Sequence, residues 1–181
     1  MVWLLNPTLP ANFGFANTVF GNALAIRVRD ASLAAVQITL INRQRRVRFE
    51  VERLRELAAL SLAECARHSS DGMFALKKIP VIEVAVVSDA VIARVHVQFM
   101  DVPGATDVIT FAHGEIVVSA DTARVQAAEH GHDVVAELAL YILHGLLHLN
   151  GYDDIAPRDR AKMHRVQDRI WRKVLRMASD E

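Results

Sequence analysis

The chain has 181 residues and a single cysteine, Cys65. One thiol excludes a disulfide framework within the chain and any cysteine-based zinc ribbon, and it suits a reducing compartment. Histidines and carboxylates must therefore hold any bound metal. Long apolar runs are also missing: no stretch of 18 such residues occurs, which excludes a transmembrane helix. Charge is absent from the first 26 residues, Arg27 being the first cation. A secretory signal needs a positive start and an unbroken apolar run, and Pro7 and Pro10 interrupt this one, so no cleaved signal is expected despite the small Ala23-Leu24-Ala25 triplet. Net charge is missing too, 21 Lys+Arg balancing 21 Asp+Glu. The length fits one domain with a sizeable core.

The zero balance hides a segregation. Between Glu83 and Asp154 stand eleven acids and only Arg94 and Arg124 as cations, whereas Arg158 to Arg176 holds eight cations against Asp159 and Asp168. Arg43, Arg45, Arg46 and Arg48 form a second basic group. Such blocks create local potentials that attract polyanions even on a neutral protein. A solvated helix face and an arginine-kept sheet edge explain the same charges, and both readings stay open on charge alone.

Residues 1–35 carry Pro, Asn and Gly without a sustained period and read as a poorly ordered N-terminal extension, with the domain proper at 36–178. Val36, Ile38 and Leu40 alternate with polar residues and lead through Asn42 into Arg43 to Phe49, giving a strand or strand pair. Leu54, Leu57, Ala58, Leu62 and Cys65 share one face of a helix over 51–67. Ile82 to Val87 is a buried strand, and Ser88-Asp89 a cap for a helix from Ala90 to Phe99. Asp107–Phe111 and Glu115–Val118 read as a hairpin, Asp121 as the cap of a helix reaching Gly131, and Asp133 as the start of an apolar helix through Leu149. Pro157 opens a last, highly charged helix with Met163, Val166, Ile170 and Val174 as its apolar stripe. Without strict βαβ alternation, the expected class is α+β: a single domain with a small mixed sheet packed by about five helices.

The informative stretch runs His144-Gly-Leu-Leu-His148-Leu-Asn-Gly151-Tyr-Asp-Asp154. Histidines four apart project from one face of a helix and can share a metal at its end. Gly151 permits the left-handed turn that brings a residue six beyond His148 back to that metal, and Asp154 stands there. Asp153 is the alternative by a one-residue slip. Two imidazoles and a carboxylate leave a position open for water, the composition of a catalytic rather than a closed structural site. The spacing is shared with metzincin proteases, but Gly145 occupies the place of their glutamate base and cannot abstract a proton.

The segment from His144 to Asp153 resembles the signature of the YbeY-type endoribonucleases, usually His-Gly-x-x-His-Leu-x-Gly-Tyr-Asp-His. Thr106-Asp107-Val108-Ile109-Thr110-Phe111 is similar to that family's Thr-Asp-Val-Leu-Ser-Phe strand, and Gly114-Glu115-Ile116-Val117-Val118 to its next strand. With Met163 in the last helix, the similarity runs from about Val36 to Leu175. The resemblance implies a cytoplasmic α+β metalloprotein that takes part in small-subunit ribosomal RNA maturation and ribosome quality control, with a zinc usually held by three histidines. Two positions depart from the pattern. Asp154 stands where the third histidine is usual, which makes the site one unit less positive, acidifies bound water less and softens the preference for zinc. Met100 stands where an arginine near the phosphate is usual, so phosphate charge must be met by Arg94, His96, His113 or the Arg43 to Arg48 group.

The resulting expectation is a metal-dependent, single-strand-specific endoribonuclease with His144, His148 and Asp154 as both metal ligands and catalytic centre. Its cofactor is one divalent ion, zinc before others. Its partners are single-stranded RNA, a ribosomal RNA precursor or the small ribosomal subunit, with no DNA and no membrane. The competing reading is a metal-stabilised, ribosome-associated RNA-binding factor with weak or no catalysis, which the loss of the arginine suits.

Overall fold

The structure is a computed structural model that describes residues 4–5, 26–27, 36–68 and 76–179. Its elements, in chain order, are β1 (Leu4–Leu5), β2 (Ile26–Arg27), β3 (Gln37–Asn42), α1 (Val51–Cys65), a 3-10 turn (Leu76–Lys78), β4 (Val81–Val87), α2 (Asp89–Met100), β5 (Val108–Phe111), β6 (Glu115–Ser119), α3 (Ala120–His130), α4 (Val134–Leu149) and α5 (Pro157–Met177). Six strands form one mixed sheet in the order β1-β5-β6-β4-β3-β2. Parallel pairs join β3 to β4 and β4 to β6, while β5 and β6 run antiparallel as the expected hairpin. The two-residue strands β1 and β2 sit at the edges, on β5 and β3. The remainder of the expected poorly ordered stretch 1–35, up to residue 35, lies outside the described residues. The α+β class and the five helices are as the pattern predicts.

Alternation along the strands divides the core between the two sheet faces. Ile38, Leu40, Ile82, Val84, Val86, Val108, Ile116 and Val118 join the buried faces of α1, α4 and α5 in the larger cluster. Ala85, Val87, Ile109, Phe111 and Val117 form a smaller cluster with Ile92 and Val95 of α2. Helix α4 is apolar nearly all round because it runs between the sheet and its helical neighbours. Helix α5 instead buries a stripe, Met163, Ile170 and Val174, with Val166 partly buried beside it. Its cations are exposed, and three of them have partners within the protein, Lys162 standing with its Nζ 5.8 Å from the centroid of the Tyr152 ring. Lys173 Nζ lies 2.8 Å from the buried Glu64 carboxylate, which Arg67 also meets, and Arg160 is described below.

Three local expectations need correction. The basic segment after Asn42 is a loop, since Gln44 gathers it into a turn: its Oε1 accepts from the Arg46 and Val47 amides at 2.8 Å and its Nε2 donates to the Val47 carbonyl at 2.9 Å. Such side-chain bonds offer the backbone an alternative to a ladder. Asp121 does not cap α3; Ser119 does, accepting from the Thr122 amide, and Asp121 accepts from the Asp89 amide at 3.0 Å. Ser88 occupies the N-cap of α2 without a side-chain cap bond, and the Asp89 carboxylate turns to Thr122 and Ser119 instead. Tertiary partners outcompete the local cap in both cases. Gly114 in the hairpin is required on two counts, a φ of +108° and a Cβ position only 2.9 Å from the Val81 carbonyl oxygen.

Candidate metal centre

Helix α4 delivers both histidines, and the way it ends delivers the carboxylate. The Gly151 amide donates to the His148 carbonyl and the Tyr152 amide to that of Leu147, each at 3.0 Å, with Gly151 at φ +86°. This is a Schellman stop, and it reverses the chain over the helix end. Asn150 anchors the turn by donating from Nδ2 to the carbonyls of Cys65, at 2.7 Å, and His68. Arg160, in the first turn of α5, donates from Nε to the Asp154 carbonyl at 2.9 Å. Asp154 is thereby turned inward, 9% exposed, whereas Asp153 is exposed and accepts from the Ile155 amide.

His144, His148 and Asp154 converge so that one ligand atom of each lies within 4.8 Å of the others. The two Nε2 atoms stand 3.2 Å apart, and the carboxylate oxygens lie 3.8 Å from His144 Nε2 and 3.9 Å from His148 Nε2. Tetrahedral bonds of zinc length put neighbouring ligand atoms about 3.3 Å apart, so the observed spacings need only small rotations to close on an ion.

The outer contacts set the tautomers. His148 Nδ1 meets the Tyr152 carbonyl at 3.1 Å, and His144 Nδ1 meets Gln167 Oε1 at 2.8 Å. Each acceptor draws the ring proton to Nδ1 and leaves Nε2 as a lone pair, the arrangement usual around ligating histidines. Two lone pairs then face each other at 3.2 Å, beside an Asp154 Oδ1 that is buried with no hydrogen-bond partner among the described residues. A divalent cation relieves both conditions, and the residues present fit one. Burial, reinforced by His144, pushes His148 down to about 4, and burial also lowers His144, so both rings are neutral and able to ligate at neutral pH.

His144 opens onto a cavity of about 420 Å³ whose wall includes Asp107, Thr122, His130, Glu137, His164 and Gln167. The cavity explains which expectations the structure assembles. Asp107 of the Thr-Asp-Val motif is there, its Oδ1 held by Thr106 Oγ1 and the Val108 amide at 2.9 Å. None of the groups weighed against the missing arginine lines this cavity: Met100 packs with the α2 cluster, His96 Nδ1 is bonded to the Gly104 carbonyl, and His113 lies beside Glu115. Gln167, Glu137 and His164 were not singled out by the sequence. Gln167 and His164 sit on the polar side of an amphipathic helix, where solvent-facing and cavity-facing residues look alike.

Gly145 has a structural reason to be glycine. A Cβ there would stand 2.8 Å from Thr110 Oγ1 and 3.0 Å from Ile116 Cγ2, so α4 touches the sheet with its backbone at the turn that carries His144. A glutamate base has no room at this position.

Residues 39–175 match the family profile described as Endoribonuclease YbeY. Curated relatives bearing that name include proteins of Micrococcus luteus, 36% identical over 51% of this chain and 69% of that one, and of Corynebacterium diphtheriae, 34% identical over 66% of each. The relative from Mycobacterium tuberculosis is 37% identical over 45% of this chain and 56% of its own length, so the matched part spans little more than half of that protein. A solution structure of a Thermotoga maritima protein aligns with 81% of this chain and 95% of its own at 24% identity and a TM-score of 0.47. With the profile spanning the sheet from β3 onward and every helix that builds the metal centre, the chain belongs to the YbeY endoribonuclease family.

Proposed function

We propose that this chain is a metal-dependent endoribonuclease that hydrolyses phosphodiester bonds in single-stranded RNA, acting in the cytoplasm on precursors of small-subunit ribosomal RNA and in ribosome quality control. The observation that carries the reading is the pair of Nε2 lone pairs facing each other at 3.2 Å beside the unpartnered Asp154 oxygen. His144, His148 and Asp154 would hold the ion, with zinc as the first candidate. A divalent ion bound there supplies Lewis-acid polarisation of a phosphoryl oxygen and acidifies water.

The chain's own groups do the rest. Gln167 and the Tyr152 carbonyl keep the two rings aimed and unprotonated at Nε2. The cavity wall offers the Thr122 hydroxyl, the Gln126 amide and the imidazoles of His130 and His164 to a bound strand, while Asp107 stands beside His144 as a carboxylate able to take a proton from water. The exposed cations of α5, among them Arg165, Arg169 and Arg172, draw the RNA backbone toward this side of the molecule. Among the described residues no helix is long and apolar enough to cross a membrane.

A second reading, a ribosome-associated RNA-binding factor with weak or no catalysis, is favoured by one observation: no arginine among the described residues lines the cavity. Incubation with a structured RNA, a single-stranded RNA and casein, each with and without chelator, separates the possibilities. Chelator-sensitive cleavage of the single strand alone is the expected result. Tight RNA binding without cleavage would favour the second reading, and casein hydrolysis would overturn both.

A further inference from the structure

Two residues of the same cavity wall, His130 and Glu137, belong to a second cluster of ligating side chains that the first metal centre does not use. His130 ends α3, His132 lies just beyond it, and Glu137 sits in the first turn of α4. The link is Gly131, whose φ of +74° turns the chain back so that the His132 amide donates to the Ala127 carbonyl at 3.1 Å. Among the described residues, no atom beyond those of its chain neighbours lies within 4 Å of where a Gly131 Cβ would stand, so glycine is there for the turn alone. The turn stacks the two rings with centroids 5.7 Å apart. His132 Nε2 then lies 3.1 Å from Glu137 Oε2, and His130 Nδ1 lies 3.8 Å from the same oxygen.

Glu137 is only 3% exposed, and its Oε2 accepts no well-formed hydrogen bond among the described residues; the buried Tyr141 hydroxyl, one turn along α4, lies beside the carboxylate without completing one. A carboxylate withdrawn from water in this way needs a cation or a proton. The His132 ring is oriented to provide for a cation. Its Nδ1 faces the Asp133 carbonyl at 3.4 Å and its Nε2 is aimed at the Glu137 carboxylate, so the ring already points its inner nitrogen at the place a shared ion would take. His130 is 56% exposed and free to turn the few tenths of an ångström that a shared ion requires.

We propose that His130, His132 and Glu137 form a second divalent-metal site, two imidazoles and one carboxylate on a borderline ion of the zinc class, with its open position facing the cavity. All ligand atoms already lie within 4.8 Å of one another. Glu137 and His144 are seven residues apart on α4, two turns along one face, which separates the sites by about 10 Å. The site is weaker than the first, because its two histidines are exposed and lose more freedom on ligation. It does not depend on the RNA reading.

The test uses the full-length protein stripped with a chelator and titrated with Co2+, followed by visible absorption and checked by elemental analysis after Zn2+ loading. The wild type is expected to take up two equivalents, the second at least tenfold weaker. His130→Ala, exposed and without consequence for the core, should lose the second equivalent and keep the first; Glu137→Gln, which preserves shape, should do the same. His148→Ala should lose the first and keep the second. Saturation of the wild type at one equivalent overturns the proposal. So does a second equivalent that survives both His130→Ala and Glu137→Gln, because the cluster would then be only a charge pair between His132 and Glu137. A His148→Ala protein that retains both equivalents would count against the first centre and leave this one standing.

Discussion

Gln167 on α5 holds Nδ1 of His144 on α4 through its side-chain oxygen at 2.8 Å. The bond crosses two helices and settles which nitrogen of the ring is available. Gln167→Ala should therefore weaken metal binding by about 10- to 100-fold, the usual cost of losing such an outer partner, while the protein remains folded. Competition against a zinc chelator measures it, and an unchanged affinity would show that His144 needs no partner.

The close approach at Gly145 predicts a stability effect without a charge change. Gly145→Val should destabilise the protein by about 2 kcal/mol, within the range for overpacking a filled site, because the new methyls meet Thr110 and Ile116. Urea unfolding reads the difference. A neutral result would mean that α4 can lift off the sheet at no cost.

Acid should loosen the metal-free protein before it affects most carboxylates. His148 is held at about 4 when folded and His144 is also lowered, whereas both take protons near 6.5 when unfolded. Above pH 6.5 neither state is protonated and these rings contribute no pH dependence. As pH falls below that value the unfolded state gains protons that the folded state refuses, so stability drops, and the drop levels off below about 4. Denaturant midpoints of the chelated protein across this window should fall, and less so in His148→Gln.

Asp154→His exchanges a carboxylate for a neutral ligand and makes the site one unit more positive. The alkaline rise of the cleavage rate should move toward acid, since the more positive centre acidifies water more. Met100→Arg, by contrast, should leave the rate unchanged, because position 100 packs with the α2 cluster and does not line the cavity. A pH–rate profile indifferent to Asp154→His would detach the chemistry from this centre.

RNA affinity should fall with salt by about 0.7 in log affinity per log salt for each phosphate contact. Replacing exposed Arg165, Arg169 and Arg172 with alanine should flatten that slope. Lys173→Ala should act on stability instead, because it removes a cation from the buried Glu64. A slope untouched by the three arginines would leave them as a solvated face.

Much of this molecule is written in short-range pattern. The histidine pair four residues apart, the glycine stop and the returning carboxylate are local, and periodicity carries the five helices and the central strands because one face of each must be buried. Tertiary structure decided what lies more than a turn or two away along the chain. It made Gln167 and Arg160 supports of the metal ligands, and it turned the arginines after Asn42 into a loop. It brought His130 and Glu137 to the wall that His144 lines, and pressed Gly145 against Thr110. A polar residue on a helix flank reads the same in sequence whether it faces water or a cavity. Only the packing of α3 and α5 against α4, which itself lies on the sheet, sets which of these side chains meet, since that packing depends on contacts between residues far apart in the chain.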